Sequence, residues 1–184
     1  MDRLIESYNR FLQGDDSGLE DIIRGCRDGL ILYLNAYLKD LNLAEELTEE
    51  TFVKLVTKRP KFSGNSSLRT WLYAIARNLT ADYLRKHKNV TVSLDECKEL
   101  GNDLISLEES YIQKEESKVV HKAMQTLKTE YMQVLWLSYF EGLSHKEIAK
   151  VMKKSVHNTE TLLYRARLAL KKKLSEEGFV YENL

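Results

Sequence analysis

Apolar side chains return every third or fourth position through most of the chain, and one proline, Pro60, is all that the sequence offers to interrupt them. That spacing places apolar groups on one stripe of a 3.6-residue helix and does not suit an alternating strand. With one Pro and eight Gly in 184 residues, and Leu, Lys, Glu and Ala abundant, the fold class is predicted as all-α with short connections. Helices are predicted over Arg3–Gln13, broken by "GDDSG" at 14–18, and over Leu19–Leu38, burying Ile22, Ile23, Leu30, Ile31, Tyr33, Leu34 and Leu38. A third helix follows Asn42, buries Leu43, Leu47, Phe52, Leu55 and Val56, and stops at Pro60. After the loop "KFSGNSS" (61–67), a fourth helix is predicted, capped from the Ser66–Ser67 pair and burying Leu68, Leu72, Ile75, Ala76, Leu79 and Leu84.

Periodicity lapses over 87–110 and returns from about Ser117 to Leu174. The organisation read from this is two small helical domains, 1–88 and 116–176, joined by a flexible acidic linker, 89–115. In the second domain, helices are joined near "TLKTEYM" (126–132) and at "KKSV" (153–156). No run of eighteen apolar residues and no basic-then-apolar leader is present, so the expectation is a cytoplasmic protein without membrane insertion. Cys26 and Cys97 have no metal-ligand spacing and read as reduced thiols, and the sequons at Asn65, Asn78 and Asn89 as coincidences.

Total charge is zero, but it is segregated. Residues 1–58 hold 7 basic and 12 acidic residues, 59–88 hold 7 and 1, 89–118 hold 3 and 8, and 119–184 hold 11 and 7. Alternating blocks of opposite sign point to two kinds of partner surface.

The acidic block peaks in "LAEELTEETFVKLV", where Glu45/Glu49 and Glu46/Glu50 are like-charge pairs four residues apart. Such pairs mildly weaken an isolated helix. No His accompanies them and no second carboxylate cluster faces them, so neither a metal nor acid–base chemistry is expected, and an acidic docking face for a basic protein surface is. The basic block is "SSLRTWLYAIARNLTADYLRKHK" (66–88), where Arg69, Arg77, Arg85, Lys86 and Lys88 share a helix with Trp71, Tyr73 and Tyr83. Charge for phosphate and rings for bases is the combination that grips a displaced single strand. The competing reading is a core helix with Trp71 buried and basic residues complementing the helix dipole at its end.

"GLSHKEIAKVMKKSVHNTETLLYRARLALKKKL" (142–174) reads as a helix-turn-helix. Ser144 and Glu147 make a capping box, Ser155 caps the second helix, and Leu162, Leu163 and Ala166 continue an apolar face. Arg165, Arg167, Lys171, Lys172 and Lys173 line its polar side, as phosphate contacts demand in a helix entering the major groove. His157, Asn158, Glu160 and Thr161 stand nearer the bases: Asn can pair with adenine and Glu can accept from a cytosine amino group. Lys153 occupies the turn, where a positive φ would strain a residue other than glycine.

Taken together, "LAEELTEETFVKL", "FSGNSSLRTWLYAIARNLTADYLRK" and "GLSHKEIAKVM…NTETLLYRARLALKKKL" resemble the extracytoplasmic-function (ECF) sigma factors of bacterial RNA polymerase. The resemblance implies a sigma factor that directs core polymerase to promoters and aids their melting, with no catalysis and no cofactor. It implies that the acidic helix, with Glu45, Glu46, Glu49 and Glu50, docks on core RNA polymerase. The loop residues Phe62, Ser63, Gly64, Asn65 and Ser66, with Asn78, would hold a flipped base of single-stranded promoter DNA. Arg69, Trp71, Arg77, Arg85 and Lys86 would grip that strand. Ser155, His157, Asn158, Glu160, Thr161, Arg165, Arg167 and Lys171 would meet the upstream element as duplex. An anti-sigma factor is a further implied partner. Glu160 stands where a basic residue is usual in such factors, and Asn158-Thr159 where Thr-Val is. The alternative is a stand-alone helix-turn-helix regulator whose first half is a sensor or dimer domain.

Overall fold

The computed structural model describes residues 3–62, 66–87, 106–108, 110–112 and 115–176, and the described elements are helices throughout. The chain divides into two units, Met1–Leu100 and Gly101–Leu184.

The first unit holds α1 (Arg3–Leu12), α2 (Ser17–Leu38), α3 (Leu41–Lys58) and α4 (Leu68–Lys86). The central helix is α2, which packs against the other three. Its middle, from Gly29 to Leu34, is buried on every side, so the amphipathic period fades there. Asp40 begins α3 by accepting the Leu43 amide at 3.0 Å, two residues earlier than the Asn42 start read from the sequence. At the other end Arg59 turns left-handed with φ of 42°, and Pro60 follows. A proline disfavours helical backbone in the residue before it, which accounts for the stop. Ser67 caps α4, its hydroxyl accepting the Thr70 amide at 3.1 Å. Three threonines, Thr48, Thr51 and Thr80, are buried at no hydrogen-bonding loss because each hydroxyl donates to the carbonyl four residues back.

The expected core is largely present, with Ile22, Leu30, Ile31, Tyr33, Leu34, Leu47, Phe52, Leu55, Leu68, Leu72, Ala76 and Leu79 buried. Four corrections apply. Ile23, Leu38, Leu43, Val56 and Ile75 are half-buried, lying at the margins of their stripes. Leu84 is exposed, because α4 has by then outrun the bundle. Tyr73, grouped with the strand-gripping aromatics, is fully buried edge-on to Tyr33, with ring centroids 5.2 Å apart. Burial there pushes the Tyr33 phenol above its ordinary pKa. The fourth correction concerns α1 and α2, where Gly18, assigned to the break between them, lies inside α2. Gly18 lets them touch: a Cβ at that position would lie 2.1 Å from the Ser7 carbonyl oxygen.

The second unit holds α5 (Glu115–Gln125), α6 (Thr129–Tyr139), α7 (His145–Met152) and α8 (Val156–Glu176). Val134 to Leu137 are fully buried, and α8 contributes Thr159, Leu163, Ala166, Leu170 and Leu174 on one stripe. Leu162 is half-buried beside that stripe. Gly142, with φ of 63°, makes the turn from α6 toward α7, a backbone that glycine adopts without strain.

The second core reaches further back than the sequence indicates. Within the stretch assigned to the linker, residues 106–108 and 110–111 are helical and Ile112 is 3% exposed. Tyr111 stacks on Trp136 at 5.8 Å, and its hydroxyl donates to Glu141 Oε1 at 2.8 Å. The same oxygen accepts from Trp136 Nε1 at 3.2 Å. The rest of the predicted linker, 89–105, 109 and 113–114, lies outside the described residues, as do Lys88 and Cys97. Cys26 is buried as a thiol.

Candidate nucleic-acid and polymerase interfaces

On α3 the buried stripe fixes which carboxylates face outward. Ala44, Leu47, Thr48, Thr51, Phe52 and Leu55 turn inward, leaving Glu46, Glu49 and Glu50 exposed. The four predicted glutamates are not equivalent. Glu45 is half-buried and pairs with Arg27 Nη2 of α2 at 3.2 Å, and Glu50 pairs with Lys54 at 3.6 Å. Glu46 and Glu49 have no hydrogen bond or ion pair among the described residues. Val53 lies on the same side, 57% exposed, and adds an apolar contact that the charge pattern did not suggest.

Around the start of α4 the aromatic rings are committed to one another. Phe62 meets Tyr8 edge-on at 5.4 Å and Trp71 edge-on at 6.5 Å, and the Tyr8 hydroxyl donates to the Pro60 carbonyl at 3.0 Å. This chain of rings holds the entry to the loop. Phe62 and Trp71 remain partly exposed. Ser66 is half-buried; Ser63, Gly64 and Asn65 lie outside the described residues. Arg69, Arg77 and Asn78 are half-buried, and the Arg77 Nε is buried against the helix without a hydrogen-bond partner. Arg85 and Lys86 are exposed at the far end, where Arg85 pairs with Asp82 at 3.1 Å. Sequence reading did not assign a role to the Tyr83–His87 stack at that end, with centroids 4.1 Å apart. Its signal was the four-residue spacing of two flat rings on one helix.

The helix-turn-helix is built by its caps. Ser144 accepts the Glu147 amide while Glu147 Oε2 accepts the Ser144 amide at 3.0 Å, the reciprocal box that the sequence predicts. Lys153 ends α7 in the left-handed region, φ 53°, as its place in the turn requires. Ser155 then starts α8, its hydroxyl accepting the Asn158 amide at 3.1 Å. Thr159 is buried, with its own hydroxyl donating to the Ser155 carbonyl at 3.0 Å. As a result His157, Asn158 and Glu160 are exposed at the front of the helix, with Thr161 half-buried beside them. Glu160 lies 3.4 Å from His145 Nδ1, which ties the front of α8 to the front of α7. Arg165 and Lys171 are exposed. Arg167 is placed differently from Arg165: its guanidinium lies over the Tyr139 ring at 5.7 Å and its Nε is buried, so it links α8 to α6. Tyr164 and Leu168, 65% and 52% exposed, stand on the outer face and were missed, because an apolar stripe elsewhere on α8 had already accounted for its core.

Both halves match known families in the order in which they occur. Residues 22–90 match the family described as Sigma-70 region 2, and residues 117–170 match Sigma-70, region 4. Over 162 residues the chain is 32% identical to RNA polymerase sigma factor YlaC of Bacillus subtilis, covering 86% of this chain and 92% of that protein. Over 154 residues it is 31% identical to the ECF RNA polymerase sigma factor SigM of the same organism, covering 83% and 93%. The chain belongs to the ECF sigma factors.

This sigma factor is therefore a subunit that directs RNA polymerase to promoters, and the stand-alone regulator is not favoured. Its fold is similar to that of CnrH, solved in complex with the cytosolic domain of CnrY, with a TM-score of 0.60 at 18% identity over 95% of this chain and 96% of that one. It is equally similar to the sigma factor RpoE of Bartonella quintana, solved with the anti-sigma factor NepR, with a TM-score of 0.60 at 17% identity over 90% and 98%. No described helix of the sigma factor is long and apolar enough to cross a membrane.

Proposed function

We propose that the two units divide the work of initiation residue by residue. The outer face of α3 docks on core polymerase through Glu46 and Glu49, with Glu50 at its margin and Glu45 holding α3 to α2. The loop before α4, with Asn78, captures an unstacked base, while Arg69, Arg85 and Lys86 hold the opened strand. The front of α8 reads the upstream duplex through His157, Asn158, Glu160 and Thr161, with Arg165 and Lys171 on phosphates. Arg167 serves the fold. The protein works in the cytoplasm, carries no catalysis of its own, and is open to capture by an anti-sigma factor, as RpoE of Bartonella quintana is by NepR.

The observation that carries this reading is the contrast on α3. Two of four glutamates are spent on Arg27 and Lys54, and the other two stand exposed beside Val53. Carboxylates without an internal partner on a helix that is otherwise well anchored suit a basic partner surface. Glu46→Lys with Glu49→Lys should weaken binding to bacterial core polymerase at least a hundredfold, since like-charge contact at an interface costs several kcal/mol. Circular dichroism should stay unchanged, because neither residue packs inward. Undiminished core affinity of the folded double variant would remove α3 from the interface.

A further inference from the structure

One contact crosses the helix-turn-helix that neither its caps nor its core requires. His145, the first residue of α7, lies 3.4 Å through Nδ1 from Oε1 of Glu160 at the front of α8, and both side chains are exposed. A carboxylate only accepts, so the imidazole nitrogen is the donor. The place suits an anion, because the N-terminal end of a helix carries partial positive charge. Glu160 needs such a place. It is the one acid of α8 before Glu176, on a face proposed to enter a groove lined by phosphates, where a carboxylate is repelled. α7 packs against α6 and α8. The other carboxylates of these elements and their connections are committed: Glu147 to the Ser144 box, Glu130 to Lys154, Glu141 to Trp136 and Tyr111, and Glu176 to Lys173. The remaining charged or titratable groups on α7, in the turn and at the start of α8 are Lys146, Lys150, Lys153 and His157, all exposed, with Lys154 half-buried. An exposed pair such as His145–Glu160 is weak, which makes it a resting place for Glu160 and not an anchor.

We propose that His145 is a positioning residue for upstream reading: it holds Glu160 off the bases, and a base that offers a hydrogen-bond donor takes Glu160 from it. Where the element presents a cytosine amino group, Glu160 leaves His145 and accepts from the base. Where the element presents an acceptor, Glu160 stays with His145 and nothing is lost. The pair therefore lowers the preference for cytosine by the strength of the His145–Glu160 contact. Imidazole changes charge between about pH 5 and pH 8, and the charged form holds a carboxylate more firmly, so the preference should widen as pH rises. The inference rests on the reading that Glu160 meets the bases, and the test separates the two. Holoenzyme is bound to randomised upstream elements at about pH 6 and about pH 8. Glu160→Ala identifies the position that Glu160 reads, as the one where the cytosine preference disappears. There, His145→Ala should raise affinity for cytosine-bearing elements about two- to fivefold, leave the others unchanged, and remove the pH dependence of the preference. His145→Gln, which can donate but does not titrate, should bring the preference back toward wild type and keep it flat with pH. His157→Gln should retain the wild-type pH response. If Glu160→Ala shifts the preference while His145→Ala does not, or if the pH response is lost with His157 instead, the proposal is overturned and Glu160 remains a base reader. Uniform loss of affinity across all elements in His145→Ala would make His145 a phosphate contact or a support of the fold, and also overturns it. If Glu160→Ala changes the preference at no position, the reading of Glu160 fails and the proposal falls with it.

Discussion

Gly18 is the position at which a single methyl group should do most harm to the first unit. A Cβ there would lie 2.1 Å from the Ser7 carbonyl oxygen and 2.7 Å from the Phe11 amide nitrogen, with Arg10 Cβ at 3.2 Å. The two closest atoms are backbone and cannot rotate away, so Gly18→Ala must push α1 off α2. Overpacking of this kind costs about 1–3 kcal/mol. Greater helix propensity returns at most about 1 kcal/mol, and less in a first turn. The ceiling follows from what α1 buries: Tyr8 at 2% and Phe11 at 7% exposure. Each is worth about 1.5–3 kcal/mol, so complete detachment of α1 costs roughly 3–6 kcal/mol. A net loss of about 1–2 kcal/mol is expected, read as a lower urea midpoint and as faster hydrogen exchange in residues 3–12. Gly25→Ala is the control, because its Cβ would meet only Leu4 Cδ2, at an ordinary 3.5 Å. That variant should be neutral or slightly stabilised. Because Tyr8 holds the Pro60 carbonyl and the edge of Phe62, Gly18→Ala should also impair promoter opening while leaving core binding intact. If Gly18→Ala keeps the wild-type midpoint and exchange rates, or if Gly25→Ala loses as much, the close-approach argument fails.

Lys153→Gly should stabilise the second unit by about 1 kcal/mol by relieving the left-handed backbone, seen as a rise of a few degrees in its melting temperature; a fall would mean the turn is unstrained. Glu141→Ala should cost the same unit about 1–3 kcal/mol, because Trp136 Nε1 and the Tyr111 hydroxyl both lose their acceptor, and Glu141→Gln should recover part of that. Glu160→Lys should change the sequence selected from randomised upstream elements more than it changes overall affinity, and an identical selected sequence would place Glu160 away from the bases.

The helix ends were legible because their causes are local. Pro60, Ser67, the Ser144–Glu147 box and Ser155 each act within four residues, so the sequence contains the whole mechanism. The direction of a side chain on a helix that buries residues on more than one side is not local. Trp71 and Tyr73 are two positions apart on such a helix, and only the neighbour across the interface, Tyr33, decides that Tyr73 goes inward. Arg167 looked like its neighbour Arg165 until Tyr139 of another helix was placed beneath it. Tyr111 and Ile112 went unread because they follow a run of acids with no period of their own; their place in the core depends on Trp136 and Glu141, more than twenty positions later. Glu45 and Glu50 were separated from Glu46 and Glu49 only by partners on α2 and one turn along α3.

The anchoring of Tyr111 and Ile112 brings the second core closer in sequence to the first than the predicted start at 116. From His87 to Ser106 is nineteen residue steps, a contour of roughly 60–70 Å at full extension. In the proposed division of labour each unit grips its own stretch of one promoter, so this contour acts as a ruler on the separation that both can engage at once. Releasing the segment back to Ile112 would lengthen that contour to twenty-five steps, roughly 80–90 Å at full extension. In the proposed division of labour, the stacked Tyr111–Trp136 pair would therefore set how far apart the two promoter contacts can lie, although neither ring need touch DNA.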